Sequence, residues 1–75
     1  MDDSNILSSI PGEHVARGTL SLPAAQSAPD APHQVVIALP PPDGRRVRIT
    51  YRRFKHKRAR TTLWFWTAVR AEIVE

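Results

Sequence analysis

Apolar and polar positions alternate most regularly between residues 34 and 54, QVVIALPPPDGRRVRITYRRF. Val47, Ile49 and Tyr51 share one face of an extended chain, and Arg46, Arg48, Thr50 and Arg52 share the other. Successive side chains of a strand point to opposite sides, so this pattern is that of a half-buried strand. The β-branched run QVVIAL precedes it, and Pro42-Asp43-Gly44 between the two suits a turn ending in a left-handed glycine. A β-hairpin over 35–54 is predicted. A three-residue loop sets Leu39 opposite Val47, Ile37 opposite Ile49 and Val35 opposite Tyr51, giving one continuous apolar layer.

A second extended run begins at residue 61, TTLWFWTAVRAEIVE. Thr, Trp and Phe favour a strand over 61–70. The end, AVRAEIVE, also contains good helix formers, so a C-terminal helix is an alternative there. As a regular strand, Leu63, Phe65, Val69, Ala71 and Ile73 share one face, and Trp64, Trp66, Arg70 and Glu72 the other. The uncharged set is expected to face the core, with Leu63 against Tyr51 and Phe65 against Ile49. Trp64 and Trp66 then lie outside, beside Thr50 and Arg48. A competing register buries both tryptophans. KHKRAR, residues 55–60, reads as a basic connection between the strands.

The fold expected is mainly β, a small three- to four-stranded antiparallel sheet. Its core is Val35, Ile37, Leu39, Val47, Ile49, Tyr51, Leu63 and Phe65. The basic β-rich domain covers 34–75. Residues 23–33, PAAQSAPDAPH, form a Pro/Ala linker whose three prolines resist regular structure. Residues 1–22 form a flexible N-terminal arm. Ile6, Leu7 and Ile10 are spaced for one helical turn, with Asp3 or Ser4 as its cap and Pro11-Gly12 as its stop. VARGTLSL, residues 15–22, carries a weak edge-strand pattern.

Charge changes the picture of the C-terminal half. Nine of the eleven Lys and Arg residues fall within 45–60: Arg45, Arg46, Arg48, Arg52, Arg53, Lys55, Lys57, Arg58 and Arg60. All five aromatics fall within 51–66, and no Asp or Glu lies between Asp43 and Glu72. Residues 1–33 are mildly acidic, with four carboxylates against Arg17. Self-repulsion among so many cations costs stability until an anion neutralises it. These nine cations, with Trp64 and Trp66, are the candidates for contact with a nucleic acid or another partner. Arginines on a sheet face suit phosphates, and aromatics suit unpaired bases. The stretch lacks the RNP pattern of an RNA-recognition module, the GxxG of a KH loop and zinc-finger spacing, so sequence-specific readout has no support.

Other classes fare worse. There is no cysteine, and His14, His33 and His56 are too far apart for metal-ligand spacing. The chain has no nucleophile elbow, phosphate-cradling glycine loop or paired carboxylates, so no catalytic residue, metal or cofactor is expected. No apolar run approaches a membrane span of ~18 residues, and the acidic start lacks a signal peptide's basic segment. A soluble cytoplasmic protein, monomeric when free, is the expectation.

The short cysteine-free chain, its Pro/Ala linker and the run RRVRITYRRFKHKRAR followed by LWFW resemble small phage-encoded regulators of bacterial RNA polymerase, of the Xanthomonas-phage type. The likeness spans 34–75 and is one of overall character. It implies a non-enzymatic regulator acting in the host cytoplasm. It further implies binding to the β′ subunit, inhibition of initiation, and antitermination near the RNA exit channel together with NusA. Direct DNA or RNA binding through the basic-aromatic sheet face is the alternative.

Overall fold

The computed structural model describes residues 5–74. One antiparallel sheet holds three strands in the order β1-β2-β3: β1 His33–Ala38, β2 Arg46–Arg58 and β3 Thr61–Val74. Before the sheet come a 3-10 turn at Leu7–Ser9, a short helix α1 at Gly12–Gly18 and a second 3-10 turn at Thr19–Ser21. The predicted hairpin is present, and residues 68–74 continue as strand rather than helix. The turn candidates Asp3 and Ser4 lie outside the described residues.

The β1–β2 register differs from the expected one by two residues. Ile37 faces Val47, Val35 faces Ile49 and His33 faces Tyr51. The loop is longer than three residues: the Leu39 N–H donates to Arg45 O at 2.8 Å. Gly44 takes the left-handed conformation, φ 66°, as the turn chemistry required. A shift of two preserves the face of every side chain. Val35, Ile37 and Leu39 therefore still pack on the buried Val47, Ile49 and Tyr51.

Two parts of the arm differ from their predictions. VARGTLSL forms the end of α1 and the second 3-10 turn, not an edge strand. Glu13 in the first turn and Arg17 in the last complement the helix dipole. The arm is seated on the sheet: Ile6, Leu7, Ile10, Val15 and Leu22 pack against the same core as β1 and β2. The helical turn expected around Ile6–Ile10 is the 3-10 turn at Leu7–Ser9; it ends before Pro11-Gly12 as expected, and Pro11-Gly12 also starts α1.

Tyr51 joins arm to sheet. Its side chain is fully buried, and its hydroxyl donates to Val15 O at 2.5 Å. Gly18 lies directly over the phenol, where a β-carbon would overlap the hydroxyl. Burial of the ring supplies the larger energy, about 2 kcal/mol, and the hydrogen bond adds about 1 kcal/mol and fixes where α1 sits.

Desolvation raises the Tyr51 pKa above its ordinary 10.0. The folded state thus holds this proton more tightly than the unfolded chain does. The resulting stability is fully present below the unfolded pKa and lost as pH rises through the folded one. Tyr51 is the only tyrosine, so phenolate absorbance reports it alone. We expect its midpoint above 10.0, accompanied by loss of the native circular dichroism. Ionisation at the ordinary value with the fold intact would show that the hydroxyl is solvated.

Candidate nucleic-acid interface

β1 pairs only with the first part of β2, Arg46 to Tyr51. Beyond that point β2 and β3 continue alone, pairing Arg52 with Thr67 through to Arg58 with Thr61. The result is a two-stranded ribbon about 23 Å long at strand rise. The basic connection predicted at 55–60 is not a loop: β2 runs through Arg58, and only Ala59 and Arg60 form the turn. Ala59 has φ 54°, a conformation that usually selects glycine or asparagine. With neither residue present, the sequence offered no signal for a tight hairpin here.

A bulge decides which residues share a face. Tyr51 pairs with Ala68 but Thr50 pairs with Arg70, leaving Val69 as an extra residue in β3. The bulge reverses the alternation of β3 at that point. Ala71 and Ile73 therefore share the core-side face with Ala68, Trp66 and Trp64, although their numbers differ in parity. The strict alternation assumed from sequence predicted the opposite. Leu63 and Phe65, expected in the core, lie on the outer face with 54% and 44% exposure. Trp64 and Trp66, expected on the outer face, are half-buried on the core side, as in the competing register.

Each tryptophan has specific neighbours. The Trp66 Nε1 donates to Pro23 O at 2.8 Å, and His33 meets its ring edge-on at 4.9 Å. Trp66 thus holds the 23–33 segment against the sheet. The Arg53 guanidinium stacks 4.3 Å from the centre of Trp64, and one of its Nη atoms donates to Ala25 O at 2.9 Å. Lys55 Nζ lies 5.8 Å from the same ring. Both arrangements place a cation over the negative face of an indole.

The nine candidate cations separate into four groups. Arg45 sits at the β1–β2 turn and grips Asp43 with two contacts, 2.6 and 2.9 Å. Those hydrogen bonds hold the Asp43 carboxyl below its ordinary pKa and raise that of Arg45. Arg48 pairs with Glu72 at 3.1 Å across the outer face, and exposed Arg46 stands at the same end of β2. Arg53 is committed to Trp64 and Ala25. The remaining five, Arg52, Lys55, Lys57, Arg58 and Arg60, are exposed on the ribbon, and no ion pair engages them among the described residues. On the core side lie Lys55 and Lys57; on the outer side Arg52 and Arg58 flank Phe54 and His56. Phe54 stacks on Phe65 across the ribbon, 6.3 Å between ring centres. Charge and tryptophan content alone do not single out Phe54 as a contact residue. Its even number, shared with Arg46, Arg48 and Arg52, already placed it on the arginine-bearing face.

No protein-family model matches the chain, and comparison with curated proteins and with solved structures finds no match. Among the described residues no helix is long and apolar enough to cross a membrane.

The dual attachment of Arg53 yields a test. Arg53→Ala should uncover Trp64, shift indole emission to the red and lower stability by about 1–2 kcal/mol. Unchanged emission and an unchanged denaturation midpoint would show that the stacking contributes nothing.

Proposed function

We propose that this chain is a non-enzymatic nucleic-acid-binding protein whose basic ribbon contacts phosphates without reading sequence. The observation that carries this reading is the ribbon itself. It projects beyond β1 with five exposed cations and no acid of its own. A two-stranded ribbon fits the major groove of B-form DNA, which is about 12 Å wide. Cations on both ribbon faces could then meet the phosphates on either side of the groove. The core beneath the arm serves to hold the ribbon's base rigid.

A second reading makes the chain a regulator that binds bacterial RNA polymerase through β′, with NusA, altering initiation and termination. One observation favours a protein partner: Phe54, Leu63 and Phe65 stand exposed together on the outer face of the ribbon. Phosphate contact has no use for such a patch, whereas phenylalanine and arginine are both enriched in protein interfaces.

Binding to a labelled DNA duplex across a salt series separates the two. Five phosphate contacts predict a slope of log K against log salt of about −4.5. The triple variant Lys57→Ala, Arg58→Ala, Arg60→Ala should reduce that slope to about −2 while leaving circular dichroism unchanged. Duplex binding insensitive to salt or to these substitutions would overturn the phosphate reading. A stable polymerase complex without duplex binding would put the second reading in its place.

A further inference from the structure

β3 is an outer strand of the sheet. The arm covers one point on its free edge: Ile6 N–H donates to Ala71 O at 2.8 Å, and Ala71 N–H donates to Asn5 Oδ1 at 3.1 Å. From Thr61 to Val69 no backbone partner occupies that edge among the described residues. The segment is TTLWFWTAV, with no charge, proline or glycine. Proteins that keep such an edge solitary usually place a lysine, a proline or a covering loop on it. None of these protects this one.

We propose that the Thr61–Val69 edge pairs antiparallel with the same edge of a second copy, joining two sheets into one of six strands. The open segment is bounded by the Ala59-Arg60 turn at one end and by the arm at Ala71 at the other. A two-fold axis through its middle residue, Phe65, uses the whole edge. That register sets Phe65 against Phe65, Leu63 against Thr67 and Trp64 against Trp66. Each face keeps its own kind: the outer apolar patch becomes continuous across both copies, and indole meets indole on the core side. Self-complementarity of this sort is what a two-fold interface demands.

Two further features fit a second copy of this chain. The seam carries no charge, so like charges do not meet in it. The two basic β2 strands end three strand spacings apart, about 14 Å, beyond the screening length of ~8 Å at physiological salt. Next to the edge lies an open cleft of about 520 Å³, lined by Leu7, Ile10, Val15, Tyr51, Trp66 and Ala68 among others. The register brings the second copy's Trp64 beside Trp66 at the mouth of this cleft. In the dimer the ribbon lies within four adjacent strands spanning about 14 Å, wider than the ~12 Å major groove, so the paired form and the groove-bound form exclude each other. The dimer also departs from the monomer that the sequence suggests.

Sedimentation equilibrium of the full chain tests the proposal. We expect a concentration-dependent dimer, weakened at least tenfold by Phe65→Lys and separately by Leu63→Lys. Both positions are exposed in the single chain, so circular dichroism should stay native. The chain has no cysteine, so the double variant Leu63→Cys, Thr67→Cys should form a disulfide-linked dimer on mild oxidation, with either single variant as control. A single-chain mass up to ~1 mM, or a dimer untouched by both lysine variants, would overturn the proposal. A monomer whose β3 amides become protected only when DNA or another protein is added would assign the edge to that occupant instead, and would equally overturn it.

Discussion

The structure depends on the seating of an N-terminal segment over one face of a very small sheet. A three-stranded sheet gains its stability from the apolar face it buries, and a chain this small has little else to bury. Val47, Ile49 and Tyr51 become fully inaccessible because Ile10, Val15 and Leu22 close over them. The contact has a locating pin: the Tyr51 hydroxyl under α1, bonded to Val15 and roofed by Gly18. Trp66 adds a second attachment through the Pro23 carbonyl. With its base fixed in this way, the β2–β3 hairpin can extend past β1 without a core of its own.

That extension separates stability from contact along single strands. Within β2, Val47 to Tyr51 hold the molecule together, while Arg52 to Arg58 project from it. The same division explains why the basic stretch does not act as one block. Arg45 and Arg48 are neutralised by Asp43 and Glu72, and Arg53 is spent on Trp64 and Ala25. The charge left unpaired is concentrated at the ribbon, where desolvation costs little and a polyanion could approach from either face.

Much of this was legible in the residues. The alternation of Val47, Ile49 and Tyr51 with arginines, and the Asp43-Gly44 turn, defined the central strand and its buried face. The two-residue register shift left that face intact. Legibility ended at the bulge. Period-two reasoning cannot register an extra residue, and Val69 carries no mark that distinguishes it from a regular strand position. Past it, strict alternation puts Leu63, Trp64, Phe65 and Trp66 on the faces opposite to those they occupy. The turn at Ala59-Arg60 was hidden for a related reason, since neither residue belongs to the types that tight hairpins favour. The arm's role was obscured because its apolar residues, Ile6, Leu7, Ile10, Val15 and Leu22, follow no single periodicity and converge only in three dimensions.

In the proposed binding mode the ribbon, and not the arm-covered body, meets the nucleic acid. Amide chemical-shift mapping during titration with a short DNA duplex addresses it residue by residue. Shifts should concentrate in 52–67 and leave Ile10, Val15 and Gly18 where they were. Shifts centred on the arm and α1, with the ribbon amides unmoved, would contradict it.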